Sequence, residues 1–70
     1  MGDFIKIVAN GRPYTVAPQT PLSAFLREQG LRADCVIVER NGTALTRSEA
    51  DAAVLANGDA LEIVRLVAGG

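Results

Sequence analysis

The 70-residue chain has no histidine and no tryptophan, a single cysteine, and only 4% aromatic residues. Each shortage removes a class of function. Histidine is the side chain whose unperturbed charge changes near neutral pH, so the usual agent of acid–base catalysis is missing. The lone Cys35 excludes an intramolecular disulfide and a thiolate zinc cluster, and fits a reducing cytosol. Seven basic and eight acidic residues give a net charge of −1. That balance leaves no basic footprint for nucleic acid and no charged run of the kind found in acidic or basic tails. No apolar run approaches the roughly 18 residues needed to cross a bilayer, and the N-terminus lacks the zones of a signal peptide. Met1-Gly2 opens like an N-myristoylation signal, but Lys6 stands where that signal needs Ser or Thr. Neither a Gly-x-x-x-x-Gly-Lys phosphate loop nor a metal-ligand cluster can be read. The expectation is a soluble, cytoplasmic protein with no resident cofactor or metal, no nucleic-acid partner and no membrane.

Aliphatic residues are what the chain does have. It is 49% apolar, so Val, Leu, Ile and Ala must build the core, with Phe4, Tyr14 and Phe25 as the only rings. A domain of this size buries only about 60% of its unfolded surface, which leaves little volume for an enclosed active site.

Phe4 to Ala9 is β-rich, and Asn10-Gly11 is a strong hairpin signal because both residues tolerate positive φ. Arg12 to Val16 is then the returning strand, with Pro13 suited to a sheet edge. Thr20 is expected to cap a helix with Pro21 at its first position. The helix is predicted over 21–29, with Leu22, Phe25 and Leu26 as its buried stripe, Gly30 ending it and Leu31 folding back. Cys35 to Glu39 reads as a central strand, followed by an Asn41-Gly42 turn and a short strand at Thr43 to Leu45. Thr46 and Glu49 have capping-box spacing, predicting a short helix with Ala50, Ala53 and Val54 inward. Asn57-Gly58-Asp59 turns the chain into a last strand, Ala60 to Leu66. This order predicts an α+β fold, a sheet of four to five strands covering one main helix.

Val67-Ala68-Gly69-Gly70 closes the sequence. Glycine lets backbone enter a slot too narrow for side chains, and a terminal carboxylate, with a pKa of roughly 3.3–3.7, is ionised at neutral pH. The chain is therefore read as a body, 1–66, presenting a flexible tail, 67–70, that projects about 13 Å when extended. The reactive group is the Gly70 carboxylate, with Gly69 giving access, and Val67 and Ala68 line a partner's entry channel. A frayed strand end is the alternative for Val67 and Ala68. Strand alternation puts Val36, Val38, Leu61 and Ile63 against the helix. Ile37, Val64 and Leu66 then face outward, either as a partner-binding patch beside the tail or as scattered surface hydrophobes. Arg12 and Arg65 are candidate rim charges, with plain solvation as the simpler account. Cys35 has no evident cation or helix N-terminus to activate it and is read as a small strand residue. Asp51 and Asp59 are read as helix-end and turn residues, not metal ligands.

The chain resembles the ThiS family of thiamine-biosynthesis sulfur carriers over nearly its whole length. Ile5-Lys6-Ile7 running into Asn10-Gly11, Thr20-Pro21-Leu22 with Phe25-Leu26, and Val36-Ile37-Val38-Glu39-Arg40-Asn41-Gly42 carry the first half of the likeness. Thr46-Arg47-Ser48-Glu49 and Asn57-Gly58-Asp59-Ala60-Leu61-Glu62-Ile63-Val64, closed by the diglycine, carry the second. Ala50 departs from that family's frequent Trp, and Thr46 from its Pro. The resemblance implies a ubiquitin-like β-grasp fold with first and last strands adjacent in the middle of the sheet. It also implies a carrier that is not itself an enzyme. A ThiF-like adenylyltransferase would use Mg-ATP to adenylate Gly70, a persulfide donor would displace AMP to leave a thiocarboxylate, and a ThiG-like thiazole synthase would take the sulfur. A carrier for another pathway, such as one like MoaD, and a ubiquitin-like protein modifier remain open alternatives.

Overall fold

Asn10-Gly11 and Asn41-Gly42 each place two successive residues at positive φ, 51° and 80° in the first turn, 53° and 87° in the second. That backbone twists in the same sense as the strands it joins, which makes such a pair a tight hairpin. The computed structural model describes residues 3–66. Its first hairpin pairs β1 (Ile5–Ala9) with β2 (Arg12–Val16), from Ile5 opposite Val16 to Ala9 opposite Arg12. The second joins β3 (Val36–Arg40) to the two-residue β4 (Thr43–Ala44). The last strand, β5 (Ala60–Arg65), enters between the hairpins, parallel to β1 and antiparallel to β3. The sheet order is β2-β1-β5-β3-β4, the mixed five-stranded β-grasp arrangement. Pro13 sits on the edge strand, where its missing N–H breaks no internal ladder. The first and last strands are neighbours in the middle, as the resemblance implies, and β3 is an interior strand between β5 and β4.

Helix α1 (Leu22–Glu28) covers one face of the sheet. Its stripe of Leu22, Phe25 and Leu26 is buried with Ile7, Ala9, Val38, Leu55 and Leu61 in one core. Phe25 meets Tyr14 edge to face, ring centroids 5.1 Å apart at 82°, a geometry worth about 0.5–1.5 kcal/mol beyond the area it hides. The helix starts one residue later than its sequence suggests. Pro21 is the N-cap, and no side chain caps the first turn. Thr20 lies one residue before the N-cap, and its hydroxyl donates back to the Ala17 carbonyl at 2.6 Å. At the other end Gly30, at φ 76°, allows its own N–H to reach the Arg27 carbonyl and that of Leu31 to reach Leu26. This Schellman closure turns Leu31 back onto the core.

Beyond α1 a single 3-10 turn (Ala33–Cys35) leads into β3, so Cys35 belongs to that turn and not to the strand. The capping box of α2 (Arg47–Ala52) is complete. The Glu49 N–H donates to the Thr46 hydroxyl and the Thr46 N–H to the Glu49 carboxylate. Ala50 and Ala53 are half-buried, but Val54 points to solvent and Leu55 enters the core in its place. The chain is extended after α2, where Val54 forms a bridge with Pro21 and the Leu55 N–H donates to the Thr20 carbonyl. Two-residue alternation has replaced helical spacing by then.

Candidate functional site

The central strand β5 carries the chain to its last described residue, Leu66. β1 pairs with β5 only through Val8–Ala60 and Ala9–Leu61, so β5 outruns it. The Asn10 side chain takes over where that ladder stops. The Ile63 N–H donates to its Oδ1 at 2.7 Å, and its Nδ2 donates to the Ile63 carbonyl at 3.1 Å. On the other flank β3 follows β5 to the rung of Val36 opposite Arg65, and the Leu66 N–H donates to the Cys35 carbonyl at 2.8 Å. The tail's root is thus braced on both sides almost to the point where the tail begins. Cys35 contributes its backbone to this brace; its side chain is exposed.

The face of the sheet away from α1 is uncovered. Ile37 and Val64 are direct neighbours across β3 and β5, 46% and 58% exposed, and Leu66 is 51% exposed just past them. Ile37 and Val64 sit together toward the tail end of the sheet, and Leu66 lines a groove with Leu31 and Val36. Val8, also exposed, lies level with Ala60 at the start of β5, away from the tail. Arg12 and Arg65 are exposed and form no ion pair among the described residues. Val67, Ala68, Gly69 and Gly70, the sulfur-carrying and channel-lining residues expected from the sequence, lie outside the described residues.

A polar cluster stands at the opposite end of β5. Asp59 is buried, and its carboxylate accepts from Arg40 at 2.7 and 3.0 Å, from the Ala56 N–H at 2.8 Å and from Asn41 at 3.1 Å. Burial alone would push its pKa up. The Ala56 N–H and the Arg40 and Asn41 side chains outweigh that and hold it below the ordinary 3.8. Arg40 also donates to the Val54 carbonyl, and Asn41 pairs with the Ala60 backbone through its side-chain oxygen. Every strong donor here is satisfied, and the cluster lies a strand's length from the tail, so it anchors the entry of β5. The surface grooves hold about 210–290 Å³ each. Pockets for small molecules and cofactors run about 300–1,000 Å³. Among the described residues no three His, Cys, Asp or Glu side chains gather to hold a metal. No helix there is long and apolar enough to cross a membrane.

Comparison with known proteins agrees with this geometry. The model of the ThiS family matches residues 5–70. The crystal structure of a thiamine biosynthesis protein (ThiS) from Geobacter metallireducens is 33% identical, with a TM-score of 0.75 over 94% of this chain and 100% of that one. A solution structure of a thiamine biosynthesis protein from the same organism gives 0.73 at 33% identity, over 94% of this chain and 88% of that one. A thiazole synthase from Magnetococcus marinus is 35% identical over 66 residues, 94% of this chain. The chain spans only 20% of that enzyme's length.

Proposed function

The chain belongs to the ThiS family, and from that premise we propose that it is a sulfur carrier for thiamine thiazole formation, with the Gly70 carboxylate as its reactive group. An adenylating partner of the ThiF type holds Mg-ATP. The carboxylate oxygen attacks the α-phosphorus, pyrophosphate leaves, and Gly70 becomes an acyl-adenylate. The terminal sulfur of a donor persulfide attacks the carbonyl carbon and AMP departs. Reduction of the remaining S–S bond by a thiol leaves a C-terminal thiocarboxylate. A thiazole synthase of the ThiG type accepts that sulfur.

The carrier supplies no catalytic group in this scheme. Its part is to fix the tail's root and present Gly69-Gly70, whose lack of side chains admits them to a narrow active site. The observation that carries the reading is the end of β5, held by the Asn10 side chain on one flank and by β3 on the other, within a family match that runs through Gly70. The likeness to a segment of a longer thiazole synthase supports an enzyme of that kind as the sulfur acceptor. Intact-mass measurement after incubation with the adenylating enzyme, Mg-ATP and a persulfide donor tests the reading. One oxygen should be replaced by sulfur, and fragmentation should locate it at Gly70. A protein that stays unmodified with its competent partner is not such a carrier.

A further inference from the structure

Glu39 and Glu62 face each other directly across β3 and β5, and both are exposed. They project from the outer face, since Val38 and Leu61 beside them are buried in the core. Opposed side chains at such a rung have Cβ atoms about 4.5–5.5 Å apart, and like charges there destabilise a sheet. The fold offers them no relief. Neither carboxylate enters an ion pair among the described residues. Arg40 is turned to the other face and bound to Asp59. Arg65 lines a groove with Gly30 and Leu31 beside the helix. Lys6 precedes Val8 by two residues on β1, and Val8 is level with Ala60, so Lys6 falls short of Glu62. A metal ion does not fit either, because no third acidic or thiol ligand joins the two. The apolar pair Ile37 and Val64 lies on the same two strands, nearer the tail.

We infer that Glu39 and Glu62 receive a lysine or arginine of the thiazole synthase, whose apolar side chains cover Ile37 and Val64. The inference rests on the carrier reading through one distance. An enzyme that takes Gly70 must come within the four-residue reach of Leu66, about 13 Å. Glu62 lies four residues before Leu66 on β5, about 13 Å away at 3.3 Å per residue. An interface of standard size, about 800 Å² on each partner, extends from the root of the tail as far as these rungs, and the likeness to a segment of a longer thiazole synthase selects that enzyme as the occupant. A single cation set between the two carboxylates would offset a repulsion that the isolated carrier bears, and charge complementarity of this kind fixes partner and register.

Stability and affinity should then move in opposite directions. In the full chain, Glu62→Gln removes the repulsion and Glu62→Lys converts it to an attraction. The melting midpoint should rise in that order, by about 2–6 °C. Affinity for purified thiazole synthase from the same organism, measured by titration calorimetry, should fall in that order, at least tenfold for Glu62→Lys. Glu39→Gln should behave as Glu62→Gln does, and the salt dependence of binding should flatten in every variant. Unchanged affinity in Glu62→Lys, or a loss confined to the adenylating enzyme or to self-association, overturns the inference. Sulfur loading of the unaltered chain, followed in parallel by mass, separates the two ideas. Normal loading with unchanged binding sinks only the docking surface, whereas failed loading beside the ordered affinity loss sinks only the carrier chemistry.

Discussion

Asp59 is the buried charged residue of the described structure, and its surroundings set a pH dependence. Because its pKa is lowered on folding, its contribution is complete above the ordinary carboxylate value and is lost as pH falls through the native one. Acid should therefore destabilise the protein below about pH 4. Asp59→Asn, which leaves Arg40 partly buried without its counter-charge, should cost about 2–4 kcal/mol at neutral pH. Urea unfolding of both proteins checks this, with the difference between them constant at neutral pH and shrinking in the acid range. The sequence marked Asp59 only as a turn residue, since its partners Arg40 and Asn41 lie 19 and 18 positions away. The asparagines were legible as turn formers. That Asn10 and Asn41 also bond to β5 through their side chains was not, because local pattern carries no information about which strand lies alongside.

At the scale of elements, α1 shows what a local pattern can and cannot fix. Its apolar stripe and its stop at Gly30 follow from spacing and from the left-handed backbone that glycine tolerates. A Cβ placed at Gly30 meets no atom within 4 Å, so only backbone strain opposes a substitution there. Gly30→Ala should thus cost about 1–2 kcal/mol, and Gly30→Asn distinctly less, by thermal unfolding. Equal penalties would point to a lost contact and not to backbone strain. The start of α1 lies one residue later than its spacing suggests because Pro21, not Thr20, takes the extended N-cap position. The end of α2 misled for a related reason. Helical spacing put Val54 inside, yet the chain leaves the helix at Ala53 and Leu55 takes the buried place. Both errors fall at helix ends, where tertiary contacts decide which orphan backbone groups find partners.

For the molecule as a whole, the sheet has one face under α1 and one face bare. Ile37 and Val64 contribute little to the core from the bare side, so replacing both by Thr keeps β-branching and should change stability by only about 0.5 kcal/mol. The same double variant should weaken thiazole synthase binding about tenfold, the loss of roughly 1.4 kcal/mol of apolar contact. Binding at full strength would place the enzyme on another surface. The outward direction of Ile37 and Val64 was legible from strand alternation alone. Their assembly into one patch depends on β5 pairing with β3 in a particular register.

Periodicity and turn residues were enough to determine the element order, the helix-on-sheet class and the inward residues of α1 and the long strands, because each depends on neighbours a few positions apart. The tertiary structure alone decided that Asp59 is buried among Arg40, Asn41 and Ala56, and that Glu39 stands opposite Glu62. Those facts follow from strand order and register. A shift of one residue would send every side chain of a strand to the other face, so the packing of the buried face selects the register and the bare face inherits its charges from that choice.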